Sequence, residues 1–167
     1  MVTKASWVAG LGQGLTWGTA INSGDLNTGG TVGMPTANTV LSTVADIANG
    51  TALDMFMDIS VSLLIASSTI VAGANLAFYL YELNQDGTTY GDNQFTAGTF
   101  AAKTPTVPPC ASITLVPLAG QTTLIGYANQ ISIPPGSFRL AIMNNSGFTL
   151  TTGTQTVKYR TYNLAMT

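Results

Sequence analysis

Apolar and polar residues alternate along most of the chain beyond residue 37, with the two-residue period of a β-strand. The clearest run is Asp54 to Ala66, where Met55, Met57, Ile59, Val61, Leu63 and Ile65 interleave with Asp54, Asp58, Ser60 and Ser62. This predicts a strand with one face in a core and a polar face interrupted by Phe56 and Leu64. A second strand, Leu76 to Leu83, sets Leu76, Phe78 and Leu80 against Ala77, Tyr79 and Tyr81, and Asp86-Gly87 follows as a hairpin turn. Further strands are predicted at Ser112 to Val116, Thr123 to Tyr127, Gln130 to Ile133, Phe138 to Met143 and Thr156 to Met166. Pro134-Pro135-Gly136 and Asn144-Asn145-Ser146-Gly147 are turn signals between them. The long irregular stretch Tyr90 to Pro109, broken by Gly91, Gly98, Pro105, Pro108 and Pro109, is expected to cross between two sheets. Thr39 to Ala48 is the one stretch whose pattern suits a short helix. About eight strands at this spacing predict an all-β sandwich or barrel.

Residues 1–36 break the pattern. Gly10, Gly12, Gly14, Gly18, Gly24, Gly29, Gly30 and Gly33 alternate with polar residues, a density that suits an extended N-terminal arm; residues 37–167 then form the β domain. Trp7 and Trp17, the only two tryptophans, fall in this arm. An indole in a glycine-rich segment needs a surface to bury it. Either the arm folds back on its own domain, or Trp7 and Trp17 are assembly contacts that anchor it to a neighbouring subunit.

Composition narrows the function classes. Charged residues make up 7% of the 167 residues and hydrophobic residues 46%, with a net charge of −2, whereas soluble domains average roughly 25% charged residues. Disorder calls for low hydrophobicity and high charge, so this chain folds. Its surface must rest on Thr, Ser, Asn and Gly, with little long-range repulsion between copies, which suits close packing in an assembly. Lys4, Lys103, Arg139, Lys158 and Arg160 are too few and scattered for a phosphate-tracking stripe, so direct nucleic-acid binding is not expected. The start of the chain has glycines where a signal peptide needs an apolar run, and Ile59 to Ala74 is too short and polar for a membrane span. Synthesis in the cytoplasm, with no membrane partner, is the expectation.

Catalytic and metal-binding patterns are sparse. The chain has no histidine, which removes histidine-based triads and most zinc sites. Asp54 and Asp58 share a strand face but lie roughly 13 Å apart on a regular strand, beyond the about 5 to 9.5 Å of carboxylate-pair hydrolysis. Asp86, Asp92 and Asn93 match no calcium-loop spacing. Gly10-x-Gly12-x-Gly14 lacks the preceding strand and third glycine offset of a dinucleotide fingerprint. Asn49-Gly50-Thr51 and Asn144-Asn145-Ser146 read as turns, and Cys110, the single cysteine, as a small buried apolar residue. The chain is therefore expected to be no enzyme, with no catalytic residues, cofactor or metal.

The segment Ile131-Ser132-Ile133-Pro134-Pro135-Gly136-Ser137-Phe138-Arg139-Leu140-Ala141-Ile142-Met143-Asn144-Asn145-Ser146-Gly147 resembles the late strands of jelly-roll proteins that decorate tailed-bacteriophage capsids. The Val71-Ala72-Gly73 turn, the Tyr79 to Leu83 strand and the Asp86-Gly87 hairpin fit the same order, so the resemblance spans residues 55 to 165. It implies a jelly-roll antiparallel β-sandwich with an N-terminal arm, acting as a decoration or cement protein. Such a protein sits on the virion head between capsomers, binds the major capsid protein, self-associates as a homotrimer, and reinforces the shell. The alternatives are a phage tail or fibre module and, third, a carbohydrate-binding jelly roll presenting Tyr79, Tyr81 and Tyr162.

Overall fold

The computed structural model describes residues 5–9, 39–42, 47–64, 73–91, 100–102, 105–116, 123–147 and 156–166. They hold nine strands and no helix: β1 (Ala5–Ala9), β2 (Thr39–Ser42), β3 (Phe56–Leu64), β4 (Asn75–Glu82), β5 (Phe100–Ala102), β6 (Ala111–Thr114), β7 (Thr123–Ser132), β8 (Phe138–Asn145) and β9 (Thr156–Met166). Two antiparallel sheets result, one in the order β1-β9-β3-β7 and the other in the order β5-β2-β8-β4-β6. The expected all-β class is what the chain adopts.

Alternation fixes which face is inside. Met57, Ile59, Val61 and Leu63 of β3 are fully buried and join Leu124, Ile131 and Val157 of the same sheet. They share one cluster with Leu76, Phe78, Ile113, Phe138, Leu140 and Ile142 of the other sheet, a sandwich-like arrangement with the core between two inner faces. Each such side chain contributes about 1.5 to 3 kcal/mol by leaving water.

The five-stranded sheet is apolar on its outer face too. Ala77, Tyr79 and Tyr81 pack there with Ala141, Met143 and Tyr90, and half-buried Val107 lies against them. The Tyr90 to Pro109 connection does not cross between sheets as expected: β4, β5 and β6 share one sheet, part of the connection covers its outer face, and part forms β5, which pairs with β2. This overturns the expectation of exposed tyrosines: Tyr79 and Tyr81 are buried beneath the connection, and Tyr162 is buried on the other sheet.

Four further readings change. Thr39–Ser42 is a strand held between β5 and β8, because β-branched Thr39 and Val40 and two flanking ladders outweigh a weak helical pattern. The two short strands predicted at 123–127 and 130–133 are one strand, β7, continuous through a bulge opposite Met57 and Ile59. The bulge places Gln130 at φ 57° and lets Ala128 and Ile131 both face the core. Met55 lies before β3 and is 55% exposed instead of facing inward. Cys110 is half-buried against the core, and burial pushes its thiol up to about 11.

Candidate functional site

Trp7 lies in β1, which pairs antiparallel with β9, and stands opposite Leu164 in the ladder. Trp17 falls outside the described residues, as does the rest of the predicted arm from residue 10.

Asp58 organises the outer face of the four-stranded sheet. It sits on β3 opposite Arg160 of β9, whose Nε and Nη2 donate to Oδ2 at 2.9 and 2.7 Å. Its Oδ1 accepts from Tyr162 Oη at 2.8 Å and from the Gln130 backbone N–H at 2.9 Å. One buried carboxylate thus ties β9, β3 and β7 and holds the bulge. Tyr162 also stacks on Phe56 at 5.9 Å, which accounts for the apolar residue on a polar face. Burial first, and then the bond to Asp58 and its charge, push the Tyr162 phenol up to about 12. With both oxygens engaged by two donors each, Asp58 is a structural clamp.

Asp54 belongs to a different cluster, in the turn that enters β3. Asn49, 1% exposed, donates from Nδ2 to the carbonyls of Asp54 at 2.8 Å and Pro134 at 2.6 Å, and its Oδ1 accepts from the Asp54 N–H at 2.8 Å. Asn163 of β9 completes the cluster, donating to Asp54 Oδ1 at 3.1 Å and accepting from the Met55 N–H at 2.9 Å. Asn49-Gly50-Thr51 is the turn that the sequence suggests, and its asparagine is a buried tie among three segments. The cluster borders a cleft of about 450 Å³ lined by Asp54, Thr51, Tyr159 and Thr161 together with Ile47, Ala48 and Ala52. The two acids weighed as a hydrolytic pair are thus held by separate partner sets. The cleft is not readable from the sequence because Tyr159 and Thr161 come from a strand some hundred positions beyond the Asn49 turn.

The remaining candidates have local roles. The Asp86 carboxylate accepts from the N–H groups of Thr88 and Thr89 at 2.9 and 2.8 Å and from the Thr89 hydroxyl. These bonds hold its carboxyl down at about 2. Asn144 is buried, and its Oδ1 accepts from the Ser146 N–H at 3.0 Å in the turn that the sequence marks. Arg139 lies over the Tyr90 ring at 3.9 Å from its centroid, pinning the connection to β8. Among the described residues no group of three or more potential metal ligands converges, and no helix is long and apolar enough to cross a membrane.

Two of the five exposed large apolar side chains among the described residues share one strand. β7 ends the described order of the four-stranded sheet and presents Ile125 and Tyr127, 62% and 57% exposed, on its outer face. Comparison with protein-family models, with curated proteins and with solved structures finds no match to this chain.

Proposed function

We propose that this protein is a non-enzymatic structural component of a virion, a jelly-roll decoration protein that binds the outside of a tailed-phage head between capsomers and stabilises it. The observation that carries the assembly reading is β7. It is a ten-residue strand without charge or proline at the end of a sheet, with Ile125 and Tyr127 turned outward. Edge strands of monomers are usually guarded by charge, proline or a bulge; β7 has neither of the first two and its bulge lies beyond Ala128, so the stretch Thr123 to Tyr127 is suited to a neighbour. The jelly-roll form draws support from the strand order. The order β1-β9-β3-β7 opposed to β2-β8-β4-β6 is that of two interlocked four-stranded Greek keys, with β5 added at one edge.

The capsid itself enters through the resemblance of residues 55 to 165, and the physical case for it is multivalency. Weak contacts repeated over a lattice raise one another's effective concentration, so no single deep site is needed. Several charged side chains serve the fold: Asp58 with Arg160, Asp86 in its turn, Arg139 on Tyr90. The carbohydrate-binding alternative loses its footing with the burial of Tyr79, Tyr81 and Tyr162. The test is co-sedimentation with expanded, DNA-free heads of the phage that carries the protein. Saturable binding at a fixed number of copies per capsomer is expected. Gold label at the tail in electron micrographs would instead assign a tail or fibre module, and failure to sediment with heads would remove the decoration reading.

A further inference from the structure

The cleft at the entry to β3 is lined by a carboxylate whose second oxygen the fold leaves to solvent. Asp54 is 2% exposed, and Asn163 satisfies only Oδ1. Among the described residues no hydrogen bond reaches its Oδ2 and no cation pairs with the carboxylate, since Arg160 is committed to Asp58. Oδ2 is not sealed off from solvent, so water in the cleft solvates it, and a cation entering there would replace that water with a direct charge pair. The space for one is there, because Asp54 borders the 450 Å³ cleft. Thr51, Tyr159 and Thr161 bring hydroxyl-bearing residues to its lining, and Ile47, Ala48 and Ala52 bring apolar ones.

We propose that this cleft binds a primary alkylammonium group. An ammonium carries three donors and no acceptor, which suits a cleft lined by one carboxylate and three hydroxyl-bearing residues. Its alkyl stem matches the apolar wall, as in pockets where a few polar groups fix orientation and apolar residues supply contact. Among the described residues no base lines the cleft, so anions are disfavoured, and a neutral polyol would add no counter-charge to Asp54. The ammonium can come from a free small amine or from a lysine side chain of a neighbouring protein. The assignment does not depend on the capsid reading.

The test is an amide NMR titration of the full chain with n-butylammonium, with n-butanol as the isosteric control. Saturable shifts at Thr51, Ala52 and Thr161 are expected with the amine and none with the alcohol. Asp54→Asn is expected to bind at least about tenfold more weakly, the loss of a hydrogen bond to a charged group. Because Asp54 also holds Asn163, Ala52→Leu provides a second variant that fills the cleft from its wall and leaves the hydrogen bonds in place; it too should bind weakly. Tighter binding of Nα-acetyl-lysine methylamide than of 1,5-diaminopentane assigns a protein side chain as the source, and the reverse order a free diamine. Absence of saturable shifts with the folded wild type, equal shifts with butanol, or wild-type affinity in both variants would each overturn the proposal.

Discussion

Asp58 shows how much one side chain carries in a chain so poor in charge. Replacing it with alanine removes four accepted hydrogen bonds and leaves the Arg160 guanidinium, partly screened by solvent, without its carboxylate. A loss of about 2 to 4 kcal/mol is expected in chemical denaturation. Tyr162→Phe, which removes one of those bonds, should cost about 1.5 to 3 kcal/mol. Equal stability of Asp58→Ala and wild type would dismiss the clamp. Leu53 presents the opposite case: it is 56% exposed at φ 51°, a left-handed conformation that disfavours a branched side chain. Leu53→Asn should therefore raise stability by up to about 1 kcal/mol, seen as a higher thermal midpoint. At Gly126 the constraint is space, because a Cβ there would collide with Cγ2 of Ile113 across the sandwich. Gly126→Ala is expected to cost about 1 to 3 kcal/mol, and the double variant with Ile113→Ala should lose less than the sum of the two single losses.

At the scale of elements, the turn after β4 gives a pH prediction with a defined sign. The Asp86 carboxyl is held at about 2, below its ordinary 3.8, by bonds from Thr89 and Thr88. Its contribution is therefore complete above about 3.8 and disappears as the pH falls through about 2. The midpoint difference between wild type and Asp86→Ala should shrink over that window; a difference constant from pH 5 to pH 2 would mean the charged form is not what holds the turn. Along β7, Ile125→Lys places a charge on an exposed position and should abolish self-association while leaving the thermal midpoint close to that of wild type. The strands themselves are legible in the sequence, because a half-buried strand writes its burial as alternation, as β3 and β9 do, while β4, covered on both faces, reads as a short apolar run before a turn. Sequence and structure part where local pattern and long-range pairing disagree. Thr39–Ser42 is a strand because β5 and β8 flank it, and β7 reads as two pieces because its bulge shifts the alternation at Asn129 and Gln130. The cleft is illegible for the same reason: Asn49, Asp54 and Asn163 become neighbours only through the β9 to β3 pairing, which no local window contains.

For the whole molecule, a trimer is expected, with light scattering at tens of micromolar as the check; a clean monomer would remove the trimer and leave binding as monomers as the form of the capsid reading. Removing residues 1–36 takes β1 from its sheet and leaves β9 as an edge, while the cluster of Met57, Ile59, Phe78 and Leu140 remains. The truncated chain should fold with reduced stability and attach to heads more weakly; undiminished attachment would show that Trp7 and Trp17 are not the anchor. The pairing of β1 with β9 also sets a timetable. Ala5 stands opposite Met166, so the first of the nine strands to leave the ribosome pairs with the last. The sheet cannot close until β9 has been made, and the early strands must wait, exposed, for a partner about 160 positions away. Folding governed by such distant contacts belongs to the slow class, on the order of milliseconds to seconds. During that interval it is the nascent chain's shortage of charge, so useful for packing finished copies together, that leaves it most open to pairing with the wrong one.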